Sequence, residues 1–254
     1  MRTLSFASTS AFAFAVAAAT FLAASPALAQ FDEAPPEEPK RPAMVLLPRV
    51  GFLLDGTTKE TVDCKGAPCS ESRTYGNGGL ALGLDLLGEV TPGLRLGLAT
   101  LFVPDASIEV DGTQSSIGSD LSAQAVVEGV FGVAPKLTLH VRGQAGVFKL
   151  FPGGAMDDFA SDKRRECSRL MDAGTLTSCR IDQTSPAAFV YGLGVGTAYA
   201  VSKKTALRLD LHVESFSVKF LERAAEGPGV SGSSTNRMDT TRIWALFGVE
   251  LGLF

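Results

Sequence analysis

The chain has 254 residues, a formal net charge of −4 and 45% hydrophobic residues, with 27 glycines and a single tryptophan. A mildly acidic balance excludes a general nucleic-acid binder, which would present a basic face. No apolar run has the length of a bilayer-spanning helix, so any passage through lipid has to be made by a closed set of strands.

The N-terminus has the layout of a secretory signal peptide over residues 1–29. Arg2 is followed by an apolar run from Ala11 to Ala24, a break at Ser25-Pro26 and the small-x-small site Ala27-Leu28-Ala29. Cleavage before Gln30 removes Arg2 and no acid, which leaves the exported chain slightly more acidic. Residues 30–43, rich in proline and glutamate, cannot build a core and read as an extended leader on the periplasmic side.

From Met44 the hydrophobic pattern changes to period two, the mark of strands with two unlike faces. Eight such segments follow, near 44–56, 78–90, 94–106, 120–133, 137–149, 187–201, 205–221 and 239–254. In the second, Leu80, Leu82, Leu84 and Leu86 alternate with Ala81, Gly83, Asp85 and Leu87. The seventh sets Leu207, Leu209, Leu211 and Val213 against Arg208, Asp210, His212 and Glu214. The connections alternate too. Thr91-Pro92-Gly93, Ala134-Pro135-Lys136 and Ser202-Lys203-Lys204 are short, whereas the other four are long and polar and carry every cysteine.

The four cysteines form two local pairs, Cys64/Cys69 and Cys167/Cys179. In an exported chain an even set of thiols predicts disulfides, and local pairing is the expected connectivity. No histidine accompanies either pair, so neither a metal nor another cofactor is expected.

The face opposite the leucines is not an ordinary wet surface. It carries Arg49, Arg95, Arg142, Arg208 and Arg242 with Asp85, Glu128, Asp210, Glu214 and Glu250, plus His140 and His212, and almost no lysine. Guanidinium–carboxylate matching suits a confined lumen. In the sixth segment that face is bare, with Gly192, Gly194 and Gly196, which predicts room for His140, Arg142, Arg208 and His212 to lean across. The expected fold is therefore all-β: a transmembrane, antiparallel, up-and-down barrel of eight strands, closed, with residues 44–254 as its one domain.

Signal peptide, eight two-faced segments, long connections at one end and the C-terminal strand GVELGLF together resemble the small outer-membrane barrels of the OmpX and OmpA transmembrane-domain type. One departure is plain. Ile243, Ala245, Phe247, Val249, Leu251 and Leu253 share the apolar face, and Phe254 falls one residue out of phase with them. The orientation of Trp244 is left open. The resemblance implies a Gram-negative outer membrane, both mature termini in the periplasm, and contact with outer-membrane lipids and lipopolysaccharide. It also implies recognition of the C-terminal strand by the outer-membrane assembly machinery.

The functional expectation is a structural or surface-interaction protein, serving adhesion, surface defence or membrane integrity through its outer loops, with an unidentified loop partner. A narrow transport barrel for small or apolar solutes is the alternative. A lipopolysaccharide-modifying enzyme comes third, because His212-Val213-Glu214-Ser215 holds the residue types of a nucleophilic site. Alternation puts Ser215 on the face opposite His212 and Glu214, so no catalysis is expected. In the longest connection, a helix is allowed across Asp158 to Asp172. Its basic run Lys163-Arg164-Arg165 is nearly cancelled by neighbouring acids.

Overall fold

The computed structural model describes residues 44–65, 70–110, 113–184 and 187–253. The signal peptide, the leader, Cys69 and Phe254 lie outside the described residues. Among the described residues there are ten strands, β1 (Met44–Lys65), β2 (Ser70–Gly78), β3 (Leu80–Thr91), β4 (Leu94–Val110), β5 (Thr113–Ala134), β6 (Leu137–Pro152), β7 (Ser178–Gln183), β8 (Ala188–Ala200), β9 (Thr205–Gly227) and β10 (Val230–Gly252), with one helix, α1 (Ala155–Asp172).

All pairings are antiparallel, and they close on themselves. β1 pairs with β3, β3 with β4, β4 with β5, β5 with β6, β6 with β8, β8 with β9, β9 with β10, and β10 with β1. The remaining strands complete two of these. β2 leads through Gly79 into β3 and pairs with the outer part of β1, while β7 pairs with the outer part of β9 ahead of β8. Among the described residues the ring therefore has eight staves, two of them interrupted, and the pairing of β10 with β1 closes it.

The leucine face looks outward. Leu82, Leu84, Leu94, Leu96, Leu98, Leu207, Leu209 and Leu211 are each exposed, whereas Asp85, Glu128, Arg142 and Asp210 are buried in the interior. An apolar exterior over a charged interior is the inverse of a water-soluble barrel. The belt occupies the half nearest the short turns. Farther along, outward positions become polar, as at Lys59, Ser217, Lys219 and Arg237.

The sequence placed strand ends too early at the other half. β1, β5, β9 and β10 run for 22 or 23 residues each, about twice the 9–11 that cross a bilayer. What read as long polar loops is mostly sheet continuing beyond the belt. The cysteines move with it: Cys64 lies near the end of β1, Cys167 on α1 and Cys179 on β7.

α1 starts three residues before the earliest position expected for it. Asp157 and Asp158 occupy its first turn and Arg169 its last, which complements the helix dipole. Lys163–Glu166 and Asp162–Arg165 pair at i,i+3. Beyond its end Gly174 takes φ 71° and donates to the Met171 carbonyl, the left-handed residue that commonly ends a helix. Met156, Ala160 and Cys167, spaced by four and seven, are its buried stripe.

Close strand approach makes some glycines obligatory. A Cβ on Gly146 would overlap the Ala123 carbonyl oxygen and come within 2.6 Å of Gln124 Cα, whereas one on Gly143 would meet nothing nearer than Leu193 Cδ2 at 3.8 Å. Gly146→Val should cost about 2–3 kcal/mol in urea unfolding from lipid vesicles and weaken the heat-modifiable band. Gly143→Ala should leave both unchanged, and equal behaviour of the two variants would contradict the packing described.

Candidate functional site

The lumen is the first place where chemistry-bearing residues converge. The twelve charged or histidine positions singled out from sequence are all buried. Glu128 is the centre nearest the short turns. It accepts from Arg208 Nη2 at 2.6 Å and Nη1 at 3.1 Å, from Arg95 at 3.4 Å, and lies 3.2 Å from His140 Nδ1. Glu250 bridges the same two arginines at 2.9 and 3.0 Å, and Asp210 accepts from Arg208 Nε through both oxygens. Asp85 forms a second centre, held by Arg49 and by Arg142 at 2.9 Å.

Farther from the short turns the network becomes less charged. Gln144 Nε2 donates to Gln124 at 2.9 Å and lies 2.9 Å from His212 Nε2. Trp244 is fully buried in the lumen and donates its indole N–H to Glu214 at 2.9 Å, which resolves its orientation. Arg242 pairs with Asp120 at 2.7 Å and lies over the rings of Phe216 and Trp244. Asp120 and Gln124 were not singled out from sequence, although each has inward parity on its strand.

The glycine strip performs part of the expected task. A Cβ on Gly192 would stand 2.6 Å from His212 Cε1, and one on Gly194 would stand 3.0 Å from Arg142 Cγ. Gly196 makes room for Asp210 rather than for the side chains expected there.

Two possible chemistries can be weighed on geometry. Glu128, His140 and Glu250 offer ligand atoms within 4.8 Å of one another, all buried. The guanidinium of Arg208 donates to both carboxylates in that space, so a cation would have to displace it. The His212, Glu214 and Ser215 set is not assembled. His212 and Glu214 are inside, 4.0 Å apart at their nearest, while Ser215 faces outward and bonds Thr241 at 3.0 Å.

The second site lies beyond the lumen. Phe148 and Phe216 stack at 3.8 Å, and apolar side chains including Val218, Phe220, Leu221 and Met238 continue the core from there. Above this floor is a cavity of about 570 Å³, walled by β1, β2, β4, β5, β9, β10 and α1. Glu60 spans its wall, accepting from Tyr75 at 2.9 Å and Asn236 at 2.8 Å. Burial raises the Tyr75 phenol above its ordinary pKa and keeps it a donor. Arg73, Lys163 and Arg223 also line the space. On α1, the hydrogen bond from Lys163 holds Glu166 below the usual carboxylate range, with Arg223 nearby acting in the same direction.

No family model matches this chain, and no curated protein matches it. Among solved structures, OprG of Pseudomonas aeruginosa superposes with a TM-score of 0.50 at 12% identity, over 84% of this chain and 97% of that one. The fold is that of the small outer-membrane β-barrels. Neisserial surface protein A (TM-score 0.42, 10% identity, 83% and 97% covered) and the Escherichia coli outer membrane protease OmpT (0.41, 8%, 84% and 97%) are also similar.

The barrel fastens its outer helix covalently. Cys167 on α1 is joined to Cys179 on β7, and Gln183 of β7 donates to Asp157 at 2.8 Å. Cys64 is also disulfide-bonded, and its expected partner Cys69 lies outside the described residues.

Two predictions follow from these sites. Glu128→Ala removes a carboxylate shared by Arg95, Arg208 and His140 and leaves the two guanidinia to Glu250 and Asp210, so it should cost about 1–3 kcal/mol in urea unfolding, while Asp182→Ala, at the exposed Arg180 pair, should change stability by under about 0.5 kcal/mol. Reduction should leave the heat-modifiable barrel intact yet speed protease cleavage between α1 and β7. An unchanged cleavage rate would show that packing alone holds the helix.

Proposed function

We propose that this protein is a non-conducting outer-membrane barrel that acts through its long-hairpin end, which faces the outside of a Gram-negative cell. The observation that carries this reading is the filled lumen. Arg95, Glu128, Arg208 and Glu250 meet across it from four strands, and none of the four is more than 8% exposed. Eight strands enclose an interior about wide enough for side chains alone, and here those side chains hold one another in place.

The same reading gives the protein a structural or surface-interaction role. Its exported leader and C-terminal strand support delivery through the outer-membrane assembly route, with the short turns and both mature termini in the periplasm. Lipids and lipopolysaccharide are the partners of the apolar belt and its polar margin. The transport alternative requires a continuous path, which the Glu128 and Asp85 centres obstruct. A lipid-modifying role is not supported by the separated His212 and Ser215.

In planar bilayers the purified protein should carry no stable unitary current across the range from 0.1 to 1 M salt (on the order of these values, where surface screening changes most). The Glu128→Ala/Arg208→Ala double variant should conduct. An epitope inserted at Gly229 should be labelled on intact cells, and one at Lys203 should not. A stable current from the unaltered protein, or labelling in the reverse sense, would overturn the proposal.

A further inference from the structure

A bulge at the outer end gives the barrel a second interior. Register shifts between β9 and β10 at Asn236/Arg237, and the extra residue in β9 brings both Phe220 and Leu221 into the buried core. A bulge of this kind re-aims side chains at the end of a sheet. Ile117 from β5, Met156 from α1 and Met238 from β10 join them in the same buried cluster and in the wall of the cavity. Phe159 stands beside Phe220 with ring centres 6.4 Å apart. Outward positions at this level are already polar, as at Lys59 and Lys219. An inner wall this apolar is therefore not the by-product of a lipid-facing alternation.

The polar part of the wall is complete in itself. Glu60 accepts from Tyr75 through one oxygen and from Asn236 through the other. Arg73 bonds the Tyr75 phenol in turn. Lys163 donates to Glu166, and Arg223 acts on the same carboxylate. Cys64 is held in a disulfide. Among the described residues, no buried side-chain nitrogen or oxygen that lacks a partner belongs to the lining. A ligand ion of either sign would have to leave water for a wall whose charges already face partners, a transfer that costs several kcal/mol. What stays uncommitted is hydrocarbon, sulfur and ring surface.

We infer that this cavity is a binding site for one neutral, hydrocarbon-rich molecule with fused rings, seated on Phe159, Phe220, Met156 and Met238 and recognised without a charged contact. A space of about 570 Å³ falls in the range that holds a ligand of drug size. Rings are favoured over a chain because both kinds of wall group reward them. Methionine sulfur lies well against ring edges, and phenyl rings pair offset or edge-on. The inference rests on the reading of this end as outward-facing and closed from the lumen below. α1 completes the wall on the side where β6 has ended, and the Cys167–Cys179 bond keeps it in place.

The test uses the full barrel in lipid nanodiscs, with the neutral fluorescent probe pyrenemethanol in equilibrium dialysis and empty nanodiscs subtracted. Saturable binding of one probe per protein is expected. Pyrenecarboxylate and pyrenemethylammonium carry the same rings with a negative or a positive charge. At equal free concentration each should compete at least about tenfold less well, as transfer of an unpaired charge implies. Decanol, neutral but without rings, should also compete about tenfold less well. Ser234→Phe fills the cavity from β10 and Ala155→Phe fills it from α1; each should abolish binding while the heat-modifiable band persists. Binding no greater than to empty nanodiscs, equal competition by a charged analogue or by decanol, or full binding by either folded variant would each overturn the inference. A non-conducting protein that binds no pyrenemethanol refutes this site and leaves the proposed function standing; a conducting one refutes that function.

Discussion

An eight-stranded ring in lipid has to hide every polar side chain on one side of its wall, and that side is too narrow to hold bulk water. Everything else in this protein is arranged around that constraint. Among the buried residues, six carboxylates (Asp85, Asp120, Glu128, Asp210, Glu214 and Glu250) face five guanidinia (Arg49, Arg95, Arg142, Arg208 and Arg242). A buried charge without a partner costs several kcal/mol, and paired charges repay that cost only with good geometry and further hydrogen bonds. Arginine provides such geometry, because one planar fork can serve several acceptors. Arg208 does so here, binding Glu128, Asp210 and Glu250 at once. Lysine, a single strongly hydrated point charge, would satisfy fewer of them, which explains its near absence from the inner face.

Backbone and charge are consequently coupled. The arginine and histidine side chains fit because a neighbouring strand gives up its own. Gly192 and Gly194 leave the space that His212 and Arg142 occupy, and Gly196 leaves the space for Asp210, which in turn orients Arg208. A glycine strip would weaken an ordinary strand through lost packing and greater chain entropy. In β8 the outward face compensates, with Phe189, Tyr191, Leu193, Val195 and Tyr199 all exposed to the lipid side. The strand is held by lipid on one face and by its neighbours' side chains on the other.

This division also explains what sequence revealed. Where a strand separates lipid from lumen, its two faces differ strongly, and alternation such as that of Leu207 to Glu214 fixes both the strand and the direction of each side chain. Beyond the belt both faces are polar or mixed, as in β10 from Ser231 to Asn236, and the pattern no longer distinguishes strand from loop. The extensions are held by pairing with a neighbour already in register, which is not a local signal. The cavity residues were hidden for the same reason: Glu60 and Asn236 are brought together from the first and last strands of the barrel. Asp120 and Trp244 could have been assigned by parity. For Trp244, however, an aromatic ring suits either an interface or a lumen, and only its bond to Glu214 distinguishes them.

The outer end presents a different problem, solved by different means. β6 stops at Pro152 and β8 begins at Ala188, so the extended sheet on that side lacks a stave between β5 and β7. A helix satisfies its own backbone and cannot replace the missing ladder of hydrogen bonds. α1 therefore covers the gap through side chains, with Met156 and Ala160 buried and Phe159 near Phe220 at 6.4 Å. Such contacts hold a helix less firmly than strand pairing holds a strand. The disulfide to β7 lies near its far end, where the buried stripe gives out after Cys167. The wall of the cavity is thus anchored by packing at its start and by a covalent bond toward its finish. Below, the ion-pair layers close the lumen.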